Sequence, residues 1–561
     1  TGIASDTYGV GQGGDVTIRA LGAIDLRNNS AISSSAAAAG DAGNIRINAQ
    51  RLRIQRGGGV IANTILDGNG GNIRLDVDDS VEVLSSVPKA DFPTSIVSAN
   101  SFLGGGLFNI IGTGRGGNVT INTDRLIVRG GAVVSSSAGG FLNDNGTAPR
   151  GGRAGNLTIN ARRSIEVSGI SEDEQFPSLI NSTTATTGSA GVLTLNTRRL
   201  TVQGGGQVSV STSGIGGGRG GRLEAFASDR IELSGQVTRR IRLQNNEIRP
   251  LTSSSGLTAT AGFAFFRYPS NSRGGNLRIR TNELIVRNRA EVAVGSVEEG
   301  GANSGNISIR ANTVQLRRFG RITAATNSGE GGNIRLNIGN LIMRRSGNIS
   351  ADATNSGNGG NIRINSNFIV GVPTENSDIL TGAVSGNGGD INIRTQGIFG
   401  LVPRDPNPKL SDISADSKFG LDGVIEITTP DVDPSRSTVV LPSNLVDVSG
   451  LVAQDCRGQG AAIAQNSSAF TISGRGGIPP TPTDMFDGSS PYVDLETPPA
   501  PDSQSMTLVP TPAPAVSESS DRIIEAQGWV VASNGVVALT PDVPAAPATT
   551  GIQRPSCPTT F

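Results

Sequence analysis

The stretch GNGGNIRINS at residues 357–366 decides the fold, because near-copies of it recur along the whole first part of the chain. They read GNGGNIRLDV from residue 68, GRGGNVTINT from 114, SRGGNLRIRT from 272, GEGGNIRLNI from 329 and GNGGDINIRT from 386. Weaker copies lie between these, so that the residue after the paired glycines recurs with a period of a little under 30 residues in most of the body. A fixed period of this length is typical of stacked supersecondary units.

Each period contains three short runs in which apolar and polar residues alternate. Within residues 331–354 these runs are GGNIRLNI, NLIMRRSG and NISADAT. Ile334 and Leu336 alternate with Arg335 and Asn337, which is the pattern of a β-strand with one buried face. Glycine and asparagine separate the runs, as expected at corners that need a positive φ. The sequence therefore predicts an all-β parallel β-helix, a solenoid of roughly a dozen three-strand coils stacked about 4.8 Å apart.

The asparagine that follows the paired glycines is predicted to have a structural role. Stacking would place equivalent asparagines above one another at a corner, where each amide could bond to the backbone or the amide of the next coil. The predicted ladder consists of Asn44, Asn72, Asn118, Asn156, Asn276, Asn306, Asn333 and Asn361.

The composition restricts the classes of function. The 561 residues include 78 glycines, only 4% aromatic residues and no histidine, and 47 basic residues balance 47 acidic ones. A net charge of 0 gives no reason to expect nucleic acid as a partner. The lack of histidine removes the commonest general base and metal ligand. GNGGD at 386–390 is similar to a calcium-binding repeat, but the usual residue at that position is Asn, so we predict no metal and no cofactor.

No segment reaches the ~20 apolar residues of a membrane helix, so the chain is not expected to be an integral membrane protein.

The pattern changes along the chain and suggests four regions. Residues 1–429 form the repeat body, and residues 430–475 read as a cap for its last coil. Residues 476–520 are a Pro/Ser/Thr-rich linker, and residues 521–561 hold a β-hairpin around Ser533-Asn534-Gly535 and a tail. The chain starts inside a repeat and without Met, which indicates a fragment or a processed chain. Insertions into the body are predicted as corner loops at 85–112, 139–153, 168–190 and 235–273.

The two cysteines, Cys456 and Cys557, form no metal motif. A disulfide between them is expected if the protein is extracellular, and two free thiols are the alternative.

Two features of the body are candidates for ligand contact. Five arginines occupy the same outward position of the first strand of their coils and could form a row that binds acidic glycans: Arg46, Arg74, Arg278, Arg335 and Arg363. Thr120, Thr158, Thr194 and Glu224 occupy this position in other coils and interrupt the row. The other candidate is the 235–273 insertion, whose aromatic residues are Phe263, Phe265, Phe266 and Tyr268. The alternatives are that the arginines pair with neighbouring acids and that the rings cover the body.

An enzymatic function is a weaker alternative. Parallel β-helices also include polysaccharide-cleaving enzymes, which need clustered carboxylates in a groove. Here the acids of one coil, Asp76, Asp78, Asp79 and Glu82, are predicted to lie on a solvated strand face. We therefore predict no catalytic residues.

Three C-terminal segments carry a family resemblance: PDVDPSRSTVVLPSNLVDVSGLVAQDC (430–456), FTISGRGGIPPTPTD (470–484) and IIEAQGWVVASNGVVAL (523–539). They resemble the C-terminal region of cyanobacterial large exoproteins of the filamentous-haemagglutinin-like, two-partner secretion group, also called S-layer family proteins. The GGNIRI coils are similar to the repeat body of that family. The resemblance implies a right-handed β-helix, export by an outer-membrane two-partner-secretion transporter, and a secreted or cell-surface location.

From these observations we expect an adhesin-like structural protein that binds surfaces or glycans and could self-associate. A β-helical polysaccharide lyase or hydrolase is the first alternative. A coat or matrix protein without a specific ligand is the second.

Overall fold

A computed structural model describes residues 2–64, 66–85, 94–100, 113–139, 151–174, 176–184, 187–212, 218–242, 248–261, 272–296, 303–406, 408–430, 528–531 and 537–540. The chain separates into two compact units, Thr1–Ser443 and Asn444–Phe561. The described part contains no helix that is long and apolar enough to cross a membrane.

The first unit is a parallel β-helix, as the repeat predicts. One sheet has fourteen strands, in the spatial order β1 (Gly2–Ala4), β4 (Ala31–Ser33), β6 (Gly59–Thr64), β8 (Ser95–Asn100), β10 (Val133–Ser137), β12 (Leu179–Thr184), β14 (Gln207–Thr212), β18 (Gly256–Ala261), β20 (Glu291–Ser296), β22 (Arg321–Thr323), β24 (Asn348–Ser350), β27 (Asp378–Leu380), β31 (Asp412–Ser414) and β30 (Val402–Pro403). We call it the short-strand sheet.

The other sheet has sixteen strands, and we call it the long-strand sheet. Its path is β2 (Val16–Arg19), β5 (Ile45–Gln55), β7 (Ile73–Leu84), β9 (Val119–Arg129), β11 (Leu157–Ser168), β13 (Val192–Gln203), β15 (Arg222–Ser234), β19 (Asn276–Arg287), β21 (Ile307–Arg317), β23 (Ile334–Arg344), β25 (Ile362–Asn365), β28 (Ile391–Arg394) and β32 (Ile425–Thr428). Beside this path lie β3 (Ala23–Leu26), β26 (Phe368–Val370) and β29 (Gly397–Phe399). Neighbouring strands in both sheets are parallel, and apart from β30 and β31, which share one coil, they belong to successive coils.

The core consists of aliphatic ladders that run along the body. Ile307, Ile334 and Ile362 follow one another in register and are each 1% exposed. The alternation that predicted the strand is present in β23, where Ile334 and Leu336 are buried while Arg335 and Asn337 are exposed. One coil cannot enclose such side chains, so each coil completes the core of its neighbours.

The three predicted runs per coil are arranged differently from expectation in most coils. In nine coils the first two runs join into a single strand of 11 to 13 residues, for example β15. Several of these strands bend at a β-bulge, seen as a register shift between Ala161 and Ser164 in β11. Separate strands occur in the coils that contain β3, β26 and β29. A bulge replaces the predicted corner because it turns the chain without interrupting strand pairing.

Three predicted insertions include regular strands of the coil, so the loops are shorter than expected. The range 85–112 contains β8, 168–190 contains β12 and 235–273 contains β18. These strands are rich in serine, threonine and alanine, so they lack the strong alternation of apolar and polar residues from which the other strands were predicted. The range 235–273 also contains an antiparallel hairpin that forms a separate two-stranded sheet, β16 (Gln236–Arg242) paired with β17 (Ile248–Ser254). Residues 140–150 of the range 139–153 lie outside the described residues.

The paired glycines are required because the stacked backbones come very close. A Cβ atom added to Gly332 would lie 1.7 Å from the carbonyl oxygen of Gly305, and one added to Gly360 would lie 2.2 Å from that of Gly332. Real side chains do not tolerate such distances. The GG motif is therefore a packing requirement of the coil.

A second type of corner leads from the long-strand sheet to the short-strand sheet. Here two successive residues adopt a positive φ, as in Asn288 (55°) and Arg289 (65°) or Arg318 (49°) and Phe319 (64°). Two coils after the Phe319 corner, a one-turn 3₁₀ helix, Pro373–Glu375, precedes the corner residue Asn376.

In the second unit, β33 (Gly528–Val531) pairs antiparallel with β34 (Val537–Thr540), which is the predicted terminal hairpin. The predicted cap, apart from Pro430, and the predicted linker lie outside the described residues, as do Cys456 and Cys557.

Candidate functional site

The outward face of the first run in the long-strand sheet carries the predicted arginine row. Strand register places Arg46 beside Arg74 and Arg335 beside Arg363 in neighbouring coils. Arg278 lies beside Glu224 on one side and Ser308 on the other. Thr120, Thr158 and Thr194 separate the two groups of arginines. The five side chains thus belong to one column but to two distant parts of it.

In the first part both arginines pair with one acid. The Nε atom of Arg74 lies 2.9 Å from Oδ2 of Asp76, and Nη2 of Arg46 lies 3.7 Å from the same oxygen. Burial disfavours the charged form of Asp76, but hydrogen bonds from Arg74 and Asn122 hold the pKa of Asp76 below its ordinary value. Arg46 and Arg74 are therefore committed to an ion-pair cluster.

In the second part the arginines have no such partner. Arg278, Arg335 and Arg363 are exposed and form no ion pair or side-chain hydrogen bond with any residue that the structure describes. The adjacent outward column, two residues further along each strand, contains three more arginines in the same condition: Arg280, Arg310 and Arg394. We call these six residues the arginine face.

The arginine face covers five successive coils, from β19 to β28. Between its arginines the two columns contain only uncharged polar residues: Ser308, Asn337, Asn365 and Asn392. A glutamate lies at each end, Glu224 beside Arg278 and Glu426 beside Asn392. Neighbouring strands lie about 4.8 Å apart, and residues two positions apart on a strand lie about 6.6 Å apart, so the six cations share one surface of the sheet.

Sequence reasoning missed Arg280, Arg310 and Arg394. A signal was present, because RIR at 278–280 and INIR at 391–394 put arginine two residues after the expected position. The predicted row includes only one outward position per strand. In the stacked coils, two neighbouring outward positions of each strand form one surface. Whether an arginine is paired depends on its neighbours in other coils, and it is not visible along one strand.

The asparagines after the paired glycines form hydrogen-bonded ladders at the corner. Oδ1 of Asn44 accepts hydrogen bonds from the backbone N–H (3.0 Å) and the side-chain amide (2.9 Å) of Asn72. Asn118 and Asn156 extend this ladder, and Asn276, Asn306, Asn333 and Asn361 form a second one that ends on Asp390. The ladder oxygens already accept bonds from the next coil. They serve stacking, and in several coils the asparagine also donates its side-chain amide to the preceding ladder oxygen, which an aspartate cannot do.

The acids of the enzymatic alternative are largely engaged in ion pairs. Asp79 pairs with Arg51 at 3.6 Å and Glu82 pairs with Arg53 at 3.1 Å, while Asp76 binds Arg74. Three or more potential metal ligands do not come together anywhere in the described ranges.

The aromatic residues of the predicted contact loop, Phe263, Phe265, Phe266 and Tyr268, lie outside the described residues. The described body exposes other rings. Phe368 and Phe399, 39% and 56% exposed, meet with ring centroids 6.2 Å apart on the second run. Phe319, 47% exposed, lies at a corner beneath Arg289. Sequence reasoning singled out none of these three, because each stands alone in its repeat.

No family model matches the chain, and no curated protein and no solved structure is similar to it at a significant level. The resemblance of the C-terminal segments to cyanobacterial exoproteins therefore stays a prediction.

Proposed function

We propose that the protein is a secreted or cell-surface, adhesin-like β-helix that binds acidic polysaccharide through its arginine face. The single observation that carries this proposal is the set of six exposed arginines without an acidic partner in the described body. Elsewhere on the same outward columns, arginines occur with acids, as in the cluster of Arg46, Arg74 and Asp76. An unneutralised cationic surface attracts anionic ligands, and guanidinium groups suit carboxylate and sulfate geometry.

The geometry favours a linear polyanion over a small ligand. The face follows the stacked strands and offers at least one arginine in each of its five coils. Each exposed contact is weak, about 0.2–1 kcal/mol, so useful affinity requires many contacts along one polymer. Sulfated and uronic polysaccharides provide negative charges at regular intervals.

The test is a comparison of two charge-matched variants. Arg335→Gln combined with Arg363→Gln removes two unpaired cations, and Arg46→Gln combined with Arg74→Gln removes two paired ones. We expect the first variant to lose about two- to thirtyfold in affinity for heparin and polygalacturonate, since two exposed contacts sum to about 0.4–2 kcal/mol. The second variant should bind nearly as tightly as the original protein. Equal losses in both variants would contradict the proposal.

Salt and uncharged polymer provide the remaining controls. Binding should weaken steeply between low salt and about 0.15 M salt, where the Debye length is about 8 Å, and dextran should not bind. Chemical analysis of the polymer after prolonged incubation tests the enzymatic alternative, because cleavage would identify a lyase or hydrolase. Sedimentation without polymer tests the coat alternative, which predicts self-assembly and no binding.

The export part of the proposal rests on the C-terminal resemblance alone. It predicts that antibodies label the protein on intact cells of its source. Deletion of a partner outer-membrane transporter should abolish this labelling, and labelling only after cell lysis would contradict it.

A further inference from the structure

A groove lies away from the arginine face, at the corner that leads from the long-strand sheet to the short-strand sheet. It has a volume of about 270 Å³, and its lining includes Gln236, Arg289, Phe319, Arg321, Asn348 and Asp378. Gln236 begins the hairpin of β16 and β17, so the hairpin borders the groove. The other residues come from the corners and strand starts of four successive coils.

Phe319 is held in a conformation that a phenylalanine rarely adopts. Its φ is 64°, within the left-handed region, while the second residue of comparable corners is Asn29 (61°), Gly131 (87°), Gly205 (89°), Arg289 (65°) or Ser346 (62°), none of them aromatic. A bulky residue there is strained. The ring is also 47% exposed in a chain with only 4% aromatic residues. The corner conformation recurs along the body without an aromatic residue, and the half-exposed ring is not part of the core, so neither the backbone nor the core explains a phenylalanine at this corner.

Three of the charged groups that line the groove have partners within the chain. The guanidinium of Arg289 lies 4.4 Å from the centroid of the Phe319 ring, and Nη2 of Arg321 is bound to Glu291 at 2.7 Å. Oδ1 of Asp378 accepts the backbone N–H of Asp412 at 3.0 Å. The side-chain amide of Asn348 has no hydrogen bond within the described chain, so its donor and acceptor face the solvent or a ligand.

The chemistry of the groove differs from that of the arginine face. Arg321 is neutralised by Glu291, and Arg289 and Asp378 have opposite charges, so the groove has nearly balanced charge. It combines an aromatic ring with an amide, a carboxyl group and a guanidinium. A pyranose ring has complementary features, because its C–H face is apolar and its rim bears hydroxyl groups that both donate and accept hydrogen bonds.

We propose that this groove binds uncharged sugar residues of a glycan, with a pyranose packed against Phe319 and its hydroxyl groups bonded to Asn348, Asp378 and Gln236. The inference does not depend on the arginine face or on an acidic polymer. It assigns a second binding site, for a different class of glycan, to the same body.

Phe319→Asn is the decisive variant, because asparagine tolerates the left-handed conformation but cannot provide the stacking surface. Binding is measured by saturation-transfer NMR on the full chain with a panel of neutral gluco-, manno-, galacto- and xylo-oligosaccharides. We expect at least one oligosaccharide to bind, the variant to bind more than tenfold more weakly, and its thermal unfolding temperature to be equal or higher. Phe319→Tyr should retain binding.

Phe399→Ala is the matched control, since it removes another exposed ring from a different face and should leave oligosaccharide binding unchanged. Three results would overturn the inference: no oligosaccharide of the panel binds, Phe319→Asn binds as well as the original protein, or Phe319→Asn unfolds at a lower temperature. The last result would assign the ring to packing. These experiments use neutral oligosaccharides, so they are independent of the heparin test of the arginine face.

Discussion

Gly332 illustrates what the stacked coils demand of single residues. Its α-carbon lies so close to the preceding coil that an added methyl group would collide with the carbonyl oxygen of Gly305. Both partners are backbone, so no side-chain rotation can relieve the contact. A larger residue here would push the two coils apart locally, and this separation would disturb the strand pairing on either side.

We predict that Gly332→Ala destabilises the body by about 1–3 kcal/mol, the usual cost of overpacking a close-packed interior. Chemical denaturation followed by far-ultraviolet circular dichroism measures this effect. Gly22→Ala is the control, because an added Cβ at Gly22 meets no atom within 4 Å. Equal stability of the two variants would contradict the packing argument.

Asp352 gives the body a pH-dependent stability. Burial raises the pKa of its carboxyl from 3.8 to about 6, although Gly382 N–H and the Ser350 side chain bond to the charged form. A raised folded-state pKa means that the stabilising contribution of this group is complete below pH 3.8 and is lost as the pH rises through about 6. The charged form therefore weakens the body at neutral pH.

Asp352→Asn keeps an oxygen that can accept the Gly382 N–H and removes the charge. We predict a gain of about 1–2 kcal/mol at pH 7.5 and no gain at pH 4, measured by denaturation at both values. Asp405→Asn, an exposed position, controls for the loss of one negative charge. A gain from Asp352→Asn that is the same at both pH values would exclude this explanation.

At the scale of structural elements, corners and strands are stabilised by different means. Strands are joined by backbone pairing and aliphatic ladders, while the corner after the paired glycines is joined through asparagine side chains. Asn361 contributes to both directions of this ladder, since its N–H donates to Asn333 at 3.1 Å and its Oδ1 accepts from Asp390 N–H at 2.8 Å.

Asn361→Ala removes the acceptor and should cost about 1 kcal/mol of stability. Asn361→Asp keeps an acceptor oxygen and should cost less, because Asp390 accepts the Val424 N–H at 2.9 Å in the equivalent position one coil later. Thermal unfolding of the two variants measures the difference. If both variants unfold like the original protein, the ladder does not contribute to stability.

The repeat predicted the strands, the parallel stacking and the asparagine corner, because these features depend on residues that are close in sequence. It did not predict β8, β12 or β18 inside presumed insertions, because Ser, Thr and Ala fit both strands and loops. The join between the first two runs was also missed, since a bulge such as that at Ala161 leaves the alternation almost unbroken. At the site, the column of Arg335 and Arg363 could be predicted, but Arg310 and the pairing of Arg46 required neighbours from other coils.

On the scale of the whole molecule, a net charge of 0 conceals a segregated charge distribution. Acids and arginines are paired in the coils around Asp76, while six arginines of later coils remain unpaired in the described structure. The net charge of the chain therefore does not describe the charge of the arginine face, and we expect a local positive electrostatic potential above that face.

We predict that the protein is retained on a cation exchanger at pH 7.5 and low salt, although a net charge of 0 alone predicts no retention. Arg335→Gln combined with Arg363→Gln should elute at lower salt than Arg46→Gln combined with Arg74→Gln. Both variants have the same net charge, so a difference in elution reports the position of the charges. Identical elution would mean that the arginine face is not a distinct charged surface.

The glutamates at the two ends of the arginine face have a consequence for stoichiometry. A polyanion that lies along the face meets a like charge beyond Arg278 and again beyond Asn392, so its footprint is limited to five coils, or about 24 Å at normal strand spacing. Oligosaccharides shorter than this footprint gain affinity with each added unit, and longer ones gain little further. A long polymer would then bind several protein molecules side by side, and each molecule would cover a polymer segment of the same length.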